Sequence, residues 1–408
     1  MSRTSGVLTA EVVAEGPKQP GSLQDTQAPD PVKPKEPPAG YRDRPWIPRF
    51  WDGMNLGGWL HLLWRNRFRI TPRRWPMATI ITMCTGLNTV LAAAQRAFWG
   101  RRIAQTPLGD DPIFIIGHWR SGTTLLHELL VQDPRHTFPS TYACFAPNHF
   151  VLTGRLLPPI LNVIMPMRRP MDNMPVGWDH PQEDEFALCN MGLPSPYLSM
   201  AFPNQPPHDP EYLTLDGVPP TELARWKEKL LWFLKCVTLT RPGRIVLKSP
   251  PHTGRVRVLL QLFPRARFVH ICRDPVVLFA STVNLWKRLY RDQGLQTPHY
   301  QDLEERVFDG LVRMYEAFER DRPLIPSGQL CEVRYETLVA NPLGEIQRVY
   351  EELGLGDFEL ARPGIEKYLA AQAGYKRNRY DIPPALAREI THRWASYFQR
   401  YGYPMPEH

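Results

Sequence analysis

Paired cysteines are missing from this chain. Its six cysteines, Cys84, Cys144, Cys189, Cys236, Cys272 and Cys331, are scattered through 408 residues, and no two form a C-x-x-C pair. No zinc pattern or disulfide framework follows, and a reducing, cytoplasmic setting is the default expectation. The first forty residues lack an apolar core behind a basic start, so they do not read as a secretory signal. No Asp closes an apolar strand in the manner of a Walker B motif, so no metal is called for. Acids are also scarce in one stretch. Residues 41–102 carry eleven arginines against only Asp43 and Asp52, and the net charge of the whole chain is +8. The excess therefore sits in that stretch and the rest is near neutral, which argues against a general nucleic-acid binder.

Three regions follow from composition. Residues 1–40 are rich in Pro, Gly, Gln and Lys and read as a disordered tail. Residues 41–105 form a basic, aromatic helical extension. Trp46, Phe50, Trp51, Trp59, Leu60, Leu63 and Trp64 make an amphipathic stretch, and Met77 to Ala94 runs without a charge. Three readings of that run compete: a membrane span, an interfacial pair of helices on anionic lipid, and a helical cover packed on the catalytic domain. Peripheral membrane contact through residues 41–102 is the expectation carried forward. Residues 110–408 form the third region.

That region opens on a strand, Ile113 to Ile116, apolar and β-branched as a strand buried on both faces should be. Leu125, Leu126, Leu129 and Leu130 then recur at helical spacing. Between them lies Gly117-His-Trp-Arg-Ser-Gly-Thr-Thr124, a tight loop running into a helix N-terminus, where backbone N–H groups and the helix dipole suit a phosphate or sulfate. Gly117, Gly122 and Thr124 match the Walker A spacing, but Thr123 stands where the lysine belongs and the nearest cation is Arg120.

Further strands are expected over 244–250, ending in a polar turn, 267–273 and 329–334, alternating with helices over 221–240, 256–263, 276–290, 301–320 and 343–353. Such alternation predicts an α/β fold, a P-loop-like parallel sheet flanked by helices, with ligand beyond the carboxyl ends of the strands. The loop at Gly117, the turn at Lys248 and the turn at Arg273 all fall at such ends. Phe145 to Met174, apolar and Pro-rich, reads as an irregular cap or acceptor channel.

Taken together, Arg120-Ser-Gly-Thr-Thr, Leu247-Lys-Ser-Pro-Pro-His252 and Phe268-Val-His-Ile-Cys-Arg-Asp-Pro275, with Ser281 eight residues past Arg273, resemble the sulfotransferases that use 3′-phosphoadenosine 5′-phosphosulfate (PAPS). The R-S-G-T-T variant is similar to the bacterial and tyrosylprotein branches. The resemblance implies that Gly117, Arg120, Ser121, Gly122, Thr123 and Thr124 hold the 5′-phosphosulfate, with Arg120 on the sulfuryl group. It places Arg273 and Ser281 on the 3′-phosphate and Lys248 near the bridging oxygen. Tyr335-Glu-Thr-Leu resembles a later family segment, as does Tyr375 to Tyr380, where Lys376 or Arg377 would close over the nucleotide.

One departure stands out. In the tyrosylprotein branch a catalytic Glu follows the loop by about twenty residues, and here His136 to Tyr142 contains no acid. The nearest rich source of a base is His180 to Glu185. Glu183 is the first candidate, His180 the second and Glu185 the third. Against this, acids there could simply stabilise a helix start. His118 in the loop could act or merely shape the mouth, Ser281 could be an ordinary helix serine and Lys248 a solvated turn residue. His252 and His270 read as structural.

The function so implied is transfer of a sulfuryl group from PAPS to a hydroxyl, leaving 3′,5′-bisphosphoadenosine. The acceptor is a small molecule, lipid, glycolipid or carbohydrate, and the site is cytoplasmic, at the inner face of the membrane. A P-loop nucleoside or sugar kinase, or a non-catalytic nucleotide-binding protein at the membrane, is the alternative.

Overall fold

A computed structural model describes residues 48–109, 111–161, 177–372 and 380–405. The tail at 1–40, part of the cap at 162–174, and Lys376 and Arg377 lie outside the described residues.

The centre is β1, Ile113–Ile116, every residue of which is buried. It lies between β3, Arg244–Lys248, and β4, Arg267–Cys272. A two-residue β2, His136–Thr137, and β5, Leu330–Arg334, complete a five-stranded sheet of order β2-β3-β1-β4-β5. All pairings are parallel. Because side chains alternate across a strand, Phe114 and Ile116 enter one apolar cluster with Leu247 and Phe268. Ile113 and Ile115 enter another with Val246 and Val269. Helices Pro275–Gln293 and Leu303–Asp321 cover the first face; Thr123–Leu130 and Pro342–Leu353 cover the second. The expected strand–helix alternation is present. β2 was not foreseen, since a two-residue strand carries no periodicity.

The extension is helical too, as Leu56–Arg65 and a 31-residue helix Trp75–Gln105. Trp51, Trp59, Leu62, Met77 and Ile81 belong to the same cluster as Phe114. The Trp51 indole donates to the Gln293 carbonyl at 2.8 Å, and Arg65 meets Asp209 in a two-pronged ion pair at 2.5 and 2.8 Å. One side of the extension is therefore built into the core that covers this face of the sheet.

Since β3, β1 and β4 are neighbours, Lys248, the Gly117 loop and Arg273 emerge side by side at one edge of the sheet. That adjacency builds the site.

Candidate active site

The loop after β1 is a close fit around two glycines. Gly117 has φ +146°, and a Cβ there would lie 2.5 Å from the Ile271 carbonyl oxygen. Gly122 has φ +109°, and a Cβ there would lie 2.4 Å from the Tyr335 ring. Both positions need glycine, on conformation and on space. Gly122 is also the N-cap of the helix Thr123–Leu130, and it has no side chain with which to cap the first helical N–H groups. Those groups have no acceptor within the helix, which is the geometry of an anion cradle. Arg120 sits in the left-handed region at φ 71°, a conformation that costs a non-glycine residue energy.

Arg120 Nε donates to Ser281 Oγ at 3.1 Å, and Tyr380 donates to the same oxygen at 3.3 Å. Arg273 donates to the Arg120 carbonyl at 2.9 Å, and its guanidinium lies over the Tyr335 ring at 4.2 Å. Burial pushes the Arg273 guanidinium below its usual range; Tyr335 opposes that, and Arg120 adds to it. Two arginines held together and partly desolvated form a ready site for a doubly charged group. Ser281 is buried, and its hydroxyl is a shared partner of Arg120 and Tyr380.

Lys248 closes β3 and is almost wholly buried, so it is not a solvated turn residue. Its Nζ donates to Glu183 Oε1 at 2.6 Å. The other Glu183 oxygen accepts from the Tyr197 hydroxyl, which in turn accepts from the Trp119 indole at 2.9 Å. Burial, reinforced by Glu183, pushes the Tyr197 hydroxyl well above its ordinary pKa, so it stays a donor. Glu183 is the N-cap of the helix Asp184–Asn190, yet its side chain makes no capping bond. Its carboxylate is committed to Lys248 and Tyr197 instead, so helix stabilisation does not account for it.

The next two acids point elsewhere. Asp184 accepts from Ser249 Oγ at 2.7 Å and lies 2.7 Å from His252 Nε2, with no exposure on either side of the pair. Burial alone would raise Asp184, but His252 and Ser249 outweigh it and hold it below the usual carboxylate range. Glu185 pairs with buried Arg255 at 2.5 and 3.0 Å. Three consecutive acids thus bind Lys248, then Ser249 and His252, then Arg255, stapling the Glu183 segment to the chain that leaves β3. His180 stands apart, half-exposed, 3.3 Å from Glu128.

His118 is buried, with its Nδ1 3.0 Å from the Trp119 carbonyl, and burial pushes it down to about 4. His270 packs against Tyr315, 3.1 Å from its hydroxyl.

An apolar trail leads away from Glu183. Phe186, one turn along the helix, stacks on Phe50 of the extension at 4.0 Å and meets Tyr197 at 4.9 Å. Phe145 lies 5.5 Å from Phe50 and 5.8 Å from Trp178. Sequence reasoning missed Tyr197, which lies far from any motif, and also Trp119, inside the loop, and Arg255, three residues past His252. The only signal was that buried acids need partners.

Residues 112–359 match the model of the sulfotransferase family. The chain belongs to that family and is a sulfotransferase. It is 45% identical over 362 residues to the omega-hydroxy-beta-dihydromenaquinone-9 sulfotransferase Stf3 of Mycobacterium bovis, covering 89% of this chain and 93% of that protein. The same holds for the Stf3 of Mycobacterium tuberculosis. Among solved structures, sulfotransferase STF9 from Mycobacterium avium superposes with a TM-score of 0.62 at 18% identity, over 87% of this chain and 98% of that one. STF1 from Mycobacterium tuberculosis gives 0.57 at 19% identity, over 84% and 91%. These last two likenesses show the fold.

Proposed function

We propose that the protein transfers the sulfuryl group of PAPS to the hydroxyl of an apolar, lipid-type alcohol, with Glu183 as the base. The observation that carries this is the Lys248–Glu183 pair at 2.6 Å, set beside an anion cradle and an arginine pair. The family supplies PAPS as donor; the loop amides of Gly117 to Thr124 suit its 5′ end and the Arg120, Ser281 and Arg273 cluster its 3′-phosphate. Because Arg120 is directed to Ser281, we place its guanidinium at that 3′ end, and Lys248 becomes the side-chain cation at the sulfuryl group.

The reaction needs charge neutralised on the sulfuryl oxygens, a stabilised leaving phosphate and an acceptor oxygen in line. Lys248 serves the first two when it leaves Glu183 for the bridging oxygen. That move frees Glu183 Oε1 to take the acceptor's proton as the new S–O bond forms and the S–O bond to phosphate breaks. Tyr197 holds the other carboxylate oxygen so that the free one keeps its aim. His180 is half-exposed and paired with Glu128, and Glu185 is sealed by Arg255, which favours Glu183.

The apolar trail through Phe186, Phe50 and Phe145 supports an apolar acceptor, as does the 45% identity to proteins named for a menaquinone-derived acceptor. All six cysteines are free thiols, which suits a cytoplasmic enzyme, and we place it at the inner membrane face, where such an alcohol resides. A thermal-shift series tests the donor: 3′,5′-bisphosphoadenosine should stabilise the chain without Mg²⁺. A response confined to ATP with Mg²⁺ would return the kinase reading.

A further inference from the structure

The helix Trp75–Gln105 carries no charge before Arg96, yet only one side of it is covered. An uncharged, largely apolar run of that length belongs against a core or a membrane, but only 28% of its most apolar window is buried. Met77, Ala78, Ile81, Thr85, Asn88, Gln95 and Ile103 face the core. On the opposite side Met83 is 71% exposed, Leu87 59%, Val90 66% and Phe98 80%. These recur at helical spacing, and the alanines at 93, 94 and 97 fill the same side. The antiparallel neighbour Leu56–Arg65 adds exposed Leu60 and Trp64. So long an apolar stripe is foreign to an ordinary soluble surface.

The charges around it have one sign. Arg67, Arg69 and Arg73 are exposed at one end, and Arg96, Arg101 and Arg102 at the other. Asp52 is the one acid between residues 48 and 109, and it accepts from the Arg49 backbone at 2.7 Å. Apolar side chains flanked by arginine are complementary to an anionic bilayer, with the apolar side in the acyl boundary and the guanidiniums among headgroups.

We infer that this face docks flat on an anionic membrane, and that the helix lies in the interface and does not cross it. Its inner side is tied to the protein along its length. Trp59 Nε1 donates to Thr82 Oγ1 at 2.9 Å, Asn88 Nδ2 to the Asp52 carbonyl at 2.6 Å, and the Leu152 amide to Gln95 Oε1 at 3.1 Å. His149 Nε2 lies 3.0 Å from Asn88 Oδ1. A spanning helix would break all of these and carry Asn88 and Gln95 into hydrocarbon. The docked helix belongs to the same extension as Phe50, which joins the apolar trail to Glu183. The inference deepens, and in its purpose rests on, the reading of the acceptor as a membrane-resident alcohol.

The experiment uses the full chain with vesicles of phosphatidylcholine, with and without a third phosphatidylglycerol. Sedimentation should show binding to the anionic vesicles, reversed by high salt and by carbonate, with a blue shift of tryptophan emission. The double variant Leu87→Glu/Val90→Glu, both positions being exposed, should lose that binding while keeping its melting temperature and its stabilisation by 3′,5′-bisphosphoadenosine. Arg96→Gln, Arg101→Gln and Arg102→Gln should each weaken partitioning roughly fivefold. Full binding by the double variant overturns the inference. So does resistance to carbonate, which marks a span, or indifference to vesicles with the stripe buried in a dimer that the double variant dissociates. Nucleotide stabilisation is read separately, so loss of vesicle binding alone leaves the donor reading standing.

Discussion

Lys248 Nζ lies 2.6 Å from Glu183 Oε1, joining the end of a central strand to the start of a short helix sixty-five residues away in sequence. The pair is held from three sides: Tyr197 on the other carboxylate oxygen, the Asp184–His252 contact next door, and the Glu185–Arg255 pair beyond it. Buried charges of this kind are costly unless paired, so the neighbourhood fixes the geometry at the point where proton transfer is proposed.

Glu183→Gln keeps the shape and a partner for Lys248 but removes the base. Turnover should fall by about 10²–10⁴-fold, with binding of 3′,5′-bisphosphoadenosine unchanged by calorimetry. Unchanged turnover would move the base to His180, the remaining candidate that is not sealed in a buried pair.

Tyr197→Phe removes the hydrogen bond to the charged Glu183 carboxylate and the acceptor of the Trp119 indole, and leaves the ring contacts with Phe186 and Trp286. Such bonds contribute about 1.5–3 kcal/mol, so kcat should drop roughly ten- to a hundredfold. KM for the donor should change less than kcat, because Tyr197 reaches the nucleotide loop only through the Trp119 side chain. A KM effect alone would show that Tyr197 shapes the binding site and not the base.

Arg120→Ala and Arg273→Ala should each weaken 3′,5′-bisphosphoadenosine about ten- to a hundredfold. Adenosine 5′-monophosphate, which lacks the 3′-phosphate, should bind both variants much as it binds the parent. Equal losses for both nucleotides would place these arginines at the 5′ end.

Stability should fall with acid in two windows. Burial pushes both His118 and His149 from an ordinary 6.5 down to about 4. Between those values the unfolded chain binds protons that the folded chain refuses, so stability rises with pH there. The effect is on the order of 3 kcal/mol for each histidine across the full window. Asp133 acts lower: burial would raise it, but Arg135 holds it at about 2, so its contribution is lost only as pH falls from its ordinary 3.8 toward that value. His149→Gln should flatten the urea-midpoint profile between about pH 6.5 and about pH 4 and leave the lower window intact. An unchanged upper slope would assign it to other groups.

Much of the sheet was legible because its evidence is local. Ile113 to Ile116 announces a doubly buried strand, and the glycines at 117 and 122 announce a loop that folds back on itself. The side-by-side emergence of Lys248 and Arg273 followed from strand alternation. What could not be read is long-range pairing. Three adjacent acids at 183–185 look equivalent in sequence, and only the packing of Ser249, His252 and Arg255 sends two of them inward. Arg120 shows the same limit: its place in the loop is a matter of spacing, whereas its bond to Ser281 is made to a distant helix. The uncharged run in the extension allowed three readings because composition does not say which side of a helix is covered.

The most direct test is transfer itself. PAPS carrying a radiolabelled sulfuryl group is incubated with a lipid extract and either the parent chain or Glu183→Gln, and the products are partitioned. Label should enter an organic-soluble sulfate ester with the parent and not with the variant. Label confined to water-soluble products, or equal transfer by both proteins, would contradict the account.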